Sequence, residues 1–118
     1  MTRRNPIVYK RGNTWPPIDD IITDRNGPVD TSAAITLRFL IRKGTPDGEL
    51  VATGTATAGN PDTAAVDGGI RYLPTATDTD DIGNFIGEWE LTFSGPKVAS
   101  APNGPGEYIP IIITENLA

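Results

Sequence analysis

The sequence predicts an all-β fold, an immunoglobulin-like antiparallel β-sandwich of about seven strands formed as one domain over residues 1–118. Three observations predict it. Apolar and polar residues alternate with period two in several separate segments, whereas the 3.6-residue helical period hardly occurs. Turn signals recur between those segments. The 13 Gly and 11 Pro fall between them as well, so these residues act as turns rather than as one disordered tract.

In chain order, residues 7–11 form a short first strand ended by Gly12-Asn13. Residues 17–23 carry Ile18, Ile21 and Ile22 and lead into Asn26-Gly27, a dipeptide in which both residues tolerate positive φ. Residues 34–43 are a strong strand: Ile35, Leu37, Phe39 and Ile41 share one face, Thr36, Arg38 and Arg42 the other, with Leu40 the exception. Residues 50–58 read as a thin strand with little to bury. In 69–75, Ile70, Tyr72 and Pro74 oppose Arg71, Leu73 and Thr75. Residues 84–93 alternate from Phe85 through Gly87, Trp89 and Leu91 to Phe93, with Trp89 as the core anchor. In 107–115, Ile109, Ile111 and Ile113 alternate with Tyr108, Pro110, Ile112 and Thr114. Pro110 cannot donate to a ladder, so this strand is expected at an edge or at a bulge. Residues 95–106 are the longest expected loop, followed by 58–68.

Composition limits the chemistry. There is no Cys and no His, which removes thiol nucleophiles, disulfides, histidine metal clusters and a Ser-His-Asp triad. The net charge of −5 argues against a nucleic-acid binder, which needs a basic surface. No uninterrupted apolar run exceeds three residues, Ile111-Ile112-Ile113 among them, far short of the roughly 20 residues that cross a bilayer, so no membrane partner is expected.

Several groups could carry function. Asp78, Asp80 and Asp81 place three carboxylates in four residues, the kind of oxygen-ligand density a calcium loop uses. Aligned on the EF-hand pattern, Gly83 falls at the sixth position, but Ile82 takes the fifth and Trp89 the twelfth, where oxygen ligands belong. The plainer reading is an acidic turn whose Asp side chains satisfy local backbone donors. Asp19-Asp20 with Glu88 or Glu90 could be proposed for glycoside hydrolysis, but neighbours on a strand point to opposite faces. No catalytic residue, metal or cofactor is therefore expected. Trp15, between Thr14 and Pro16-Pro17, is the candidate exposed or interfacial aromatic, the alternative being burial under a loop. Arg3 and Arg4, with Lys10 and Arg11, would form a basic arm on an acidic neighbour or a solvated tail, residues 1–6 being expected to be flexible. Ile109, Ile111 and Ile113, if on an edge strand, would add to a neighbour's sheet, as would residues 7–11.

A resemblance adds to this. Gly12-Asn13-Thr14-Trp15-Pro16, Ile21-Ile22-Thr23-Asp24, Asn26-Gly27-Pro28-Val29-Asp30 and Ala34-Ile35-Thr36-Leu37-Arg38-Phe39 form one part of it. Gly69-Ile70-Arg71-Tyr72, Asp78-Thr79, Gly83-Asn84-Phe85 and Glu88-Trp89-Glu90-Leu91 form the other. Together they resemble the immunoglobulin-like virion proteins of tailed bacteriophages, and in particular the N-terminal domain of the baseplate upper protein. The likeness runs over roughly residues 8–115 and consists of turn-and-strand signatures. It implies a virion structural subunit of tail, baseplate or neck, made in the host cytoplasm and contacting other virion structural proteins. It also implies a homo-oligomer within the particle. The alternatives are a capsid decoration protein and an adhesin module binding a host glycan.

Overall fold

The computed structural model describes residues 5–24, 26–45, 47–94, 98–101 and 108–115, with the backbone alone at 98–101. The strands are β1 (Ile7–Lys10), β2 (Ile18–Ile21), β3 (Thr23–Asp24), β4 (Gly27–Pro28), β5 (Thr36–Lys43), β6 (Leu50–Thr55), β7 (Thr57–Ala58), β8 (Gly69–Tyr72), β9 (Gly83–Thr92), β10 (Val98–Ala101) and β11 (Ile109–Thr114). Two short 3-10 turns, Thr31–Ala33 and Ala65–Asp67, are the helical pieces of the described chain. The fold is all-β.

The larger sheet has the order β1-β11-β9-β5-β6, and β10 continues the β11 side of β9. A smaller sheet runs β2-β8-β7, and β3 and β4 form a separate ribbon. The two longest strands, β5 and β9, pair antiparallel from Thr36↔Thr92 to Lys43↔Phe85. β9 alternates as expected: Phe85, Gly87, Trp89 and Leu91 are buried, and Ile86, Glu88, Glu90 and Thr92 are half-buried.

The two sheets face each other across one apolar core. Phe39, Ile41, Phe85, Trp89, Leu91, Ile109, Ile111 and Ile113 enter from the larger sheet, and Ile18, Ile70 and Tyr72 from the smaller. Phe39 stacks on Tyr72 at 5.0 Å between ring centroids and meets Trp89 at 4.6 Å. Gly87 makes room for that stack, because a Cβ there would lie 2.2 Å from Phe39 Cζ. Gly54 does the same for Tyr72, whose hydroxyl would lie 2.2 Å from an added Cβ.

Four expectations need correction. β1 pairs with β11 in parallel, Ile7 opposite Ile111, so the larger sheet is mixed rather than antiparallel throughout. β11 is not an edge strand: β9 flanks it on one side, and β1 on the other from Ile111 onward. The expected loop at 95–106 contains a strand, Val98–Ala101, laid on β9. Ile35 precedes its strand and is exposed, whereas Leu40 is buried although it lies on the opposite face from Phe39 and Ile41. Leu40 sits between Glu88 and Thr53 in the ladder, on the face that carries the Arg42–Glu88 pair.

Candidate functional site

The carboxylates are the side chains with most chemical potential here, and most of those considered are held by the framework. In β2 Asp19 and Asp20 do point to opposite sides. Asp19 binds the Arg71 guanidinium through two bonds, 2.6 Å from Nε and 2.8 Å from Nη2. That charged partner pushes the Arg71 pKa above its already high ordinary value. Asp20 shares the inward side with buried Ile18, and its Oδ2 accepts the Trp89 indole N–H at 2.8 Å. The bond joins the two sheets across the core. A buried indole N–H needs an acceptor, and Asp20 is the acceptor present.

On the outer face of the larger sheet Glu88 pairs with Arg42 at 3.1 Å and Glu90 with Arg38 at 3.3 Å, each a cross-strand pair of β9 and β5. Glu88 and Glu90 thus share a face, as their spacing predicts, and each is neutralised by its own arginine. In the turn after β8, Asp78 Oδ2 accepts the Tyr72 hydroxyl and the Thr75 N–H. Burial and that carboxylate together push the Tyr72 pKa up. Asp78 is thereby engaged in closing its own turn. Among the described residues no three acidic side chains converge as a metal site would require.

One shallow, open depression of about 420 Å3 is lined by Asp19, Asp20, Ile21, Asn60, Asp62 and Thr63. The Asn60 side chain in it is turned to structure. Asn60 donates its side-chain amide to the carbonyls of Asp20 (3.0 Å) and Ile70 (3.2 Å). Its Oδ1 accepts from the N–H groups of Asp62 and Thr63. The depression is therefore the outer side of a clamp between β2, β8 and the loop that follows β7.

The expected interaction residues separate into three groups. Trp15 stands out from the surface, 71% exposed, in a loop whose Trp15–Pro16 peptide is cis. That loop is fixed at its base: Gly12 N–H donates to Thr79 O at 3.0 Å, Thr79 Oγ1 donates to Asn13 O at 2.8 Å, and the Tyr9 hydroxyl donates to Pro16 O at 2.5 Å. Ile109, Ile111 and Ile113 are corrected as interface residues. All three are core residues, at most 3% exposed, on a strand with neighbours. Arg3 and Arg4 lie outside the described residues.

The Asp20–Trp89 bond was not among the sequence expectations. Its signal was present: an acidic residue on the same side as Ile18 must find a donor in the core. Comparison of the sequence with protein-family models and with curated proteins finds no match.

Proposed function

We propose that this chain is an immunoglobulin-like sandwich serving as a structural subunit of a bacteriophage virion, in tail, baseplate or neck, and acting by protein–protein contact rather than by catalysis. The strand order supports the immunoglobulin-like part of this reading, and the virion role rests on the resemblance of the turn-and-strand signatures. Variable-type immunoglobulin sheets place C′ beside C, F and G on one side and B, E and D on the other. Taken in chain order, β2, β5, β6, β7, β8, β9 and β11 correspond to B, C, C′, D, E, F and G. The larger sheet then reads G-F-C-C′ and the smaller B-E-D. Gly87, on the strand that corresponds to F, leaves the space that the Phe39 ring occupies.

The use of the carboxylates supports a non-enzymatic role, since Asp19, Asp20, Asp78, Glu88 and Glu90 all brace the framework. Function then rests on exposed strands and loops. Mass spectrometry of purified particles, followed by a reconstruction of the assembled virion, tests the proposal. The chain should appear at a copy number matching the symmetry of one particle region; a protein absent from particles would sink it.

Exposed Trp15 favours a second reading, a glycan-binding adhesin module, because a projecting indole can stack on a sugar ring. A glycan-array signal lost in Trp15→Ala would favour that reading over the first.

A further inference from the structure

A sheet edge offers unpaired backbone groups, and proteins guard such edges with charges, prolines, shortness or a cover. The described edges differ sharply in this respect. β1 begins after Pro6 and ends in Lys10, with Arg11 next in the chain. β2 follows Pro16-Pro17 and contains Asp19 and Asp20, and Asn60 holds the Asp20 carbonyl. β7 has two residues. β10 has four, set in sequence between Pro96-Lys97 and Pro102. β6 is Leu50-Val51-Ala52-Thr53-Gly54-Thr55, six residues with neither charge nor proline, and the uncharged run continues through Ala58. Leu50 and Val51 are exposed there. A register shift against β5 bends the start of the strand and leaves 52–55 as its regular part.

The ladder fixes which backbone groups β6 presents. Ala56 N–H donates to Leu37 O at 2.8 Å, and these two residues are directly opposite in the register that continues as Arg38↔Thr55 and Phe39↔Gly54. Hydrogen-bonded pairs alternate in an antiparallel ladder. Gly54 and Ala52 therefore bond inward to β5, and the N–H and C=O groups of Thr53 and Thr55 point outward, where no described strand pairs with them. Two outward residues at this spacing are self-complementary. Turned antiparallel about Gly54, Thr53 faces Thr55 of a second copy and Thr55 faces its Thr53, giving four backbone bonds and two Thr–Thr pairs.

We propose that β6 is the self-association edge of this protein: two copies pair antiparallel through Thr53 and Thr55 and join their larger sheets into one. The occupant is a second copy because the same strand, apposed to itself, brings no like charges together. The same operation on β2 would set Asp19 and Asp20 against their counterparts. This deepens the assembly reading above by naming one of its contacts, and it is tested without reference to any particle.

Sedimentation velocity of the purified chain over a concentration series should show a monomer converting to a dimer. Amide exchange should show protection rising with concentration at Thr53 and Thr55 and unchanged at β1 and β2. Thr53→Pro removes an outward N–H without breaking the β5 ladder, so the variant should keep its fold and lose the dimer. Thr53→Lys with Thr55→Lys, and Thr53→Glu with Thr55→Glu, should each be monomeric, and an equimolar mixture of the two should dimerise again. A wild-type chain that stays monomeric throughout would overturn the inference. So would a dimer that persists in Thr53→Pro and in both charged variants. Thermal melts of each variant confirm that lost association is not lost fold.

Discussion

The two sheets are stabilised by different means. The larger one has strands of up to ten residues, and its inner face supplies most of the aromatic and aliphatic core. The smaller one has strands of four, four and two residues, too short to hold themselves by ladder bonds. Side chains complete what its backbone lacks. Asn60 links the carbonyls of Asp20 and Ile70. Thr31, fully buried, donates to Gly69 O at 2.6 Å. Asp19 ties β2 to β8 through Arg71, and Asp78 receives Tyr72. Where strands are long, area removed from water dominates; where they are short, a few polar side chains set the geometry.

The largest effect should come from the larger sheet. Trp89→Ala removes the fully buried indole from between the sheets, opens a cavity beside Phe39, and takes the indole donor from Asp20 Oδ2. A loss of about 3–5 kcal/mol is expected, a large share of the stability of a domain this size. Urea unfolding would read it, and a loss below about 1 kcal/mol would mean that the core does not centre on Trp89. Trp89→Phe separates the two contributions, since it keeps most of the apolar area and removes the hydrogen bond.

In the smaller sheet the effects should be moderate and polar in origin. Thr31→Val keeps the shape but removes the hydroxyl donor from Gly69 O, which keeps the Gly59 N–H at 2.7 Å, so a loss of about 0.5–1.5 kcal/mol is expected. Asn60→Ala should cost a similar amount. Its local signature should be faster amide exchange in β2 and β8, with β5 and β9 unchanged. Uniform loosening of both sheets would argue against the division drawn here.

These contrasts also explain what could be read from the chain. β9 was legible because one buried and one half-buried face produce strict alternation, and β5 because its alternation is broken only at Leu40, buried on the outer face. The edge assignment of β11 failed for a physical reason. Pro110 does lie on a stretch that no described strand covers on that side, but β1 covers the strand from Ile111, and a parallel partner from the opposite end of the chain leaves no local mark. The opposite orientation of Asp19 and Asp20 was legible from strand parity. Their partners were not, because Arg71 lies 52 residues from Asp19 and Trp89 lies 69 from Asp20. β6 was legible as thin and poorly buried, and that weakness in packing is what leaves its edge open.

Alkaline pH should probe one tyrosine from each sheet. Burial pushes the Tyr9 pKa up to about 12, and burial with the Asp78 carboxylate raises that of Tyr72. Unfolded tyrosines lose their protons near pH 10 while the folded ones keep theirs. The contribution of these groups is thus fully present below about pH 10 and is lost as pH rises toward the folded values. Melting temperature should fall across that interval, and Tyr9→Phe should flatten part of the fall. A melting temperature indifferent to pH between 10 and 12 would contradict the burial of both hydroxyls.

The smallest expected effects lie on the outer face, where two ion pairs of the same strands can be compared directly. Arg42–Glu88 is the closer and better covered, with side chains 28% and 17% exposed and a further Arg42 contact to Gly48 O at 3.4 Å. Arg38–Glu90 is looser, at 47% and 30%. Water and salt screen the second pair more, so Glu90→Gln should change stability by well under about 1 kcal/mol and Glu88→Gln by somewhat more. Added salt should shrink the Glu90 effect first. Leu40 lies against Glu88 in the ladder, so Glu88→Gln, which keeps the side chain's shape, isolates charge from cover, and Glu88→Ala adds the loss of cover. If Glu88→Gln and Glu88→Ala cost the same, the pair acts through charge alone. If Glu88→Ala costs clearly more, the outer face too is held chiefly by the apolar area its charged side chains cover.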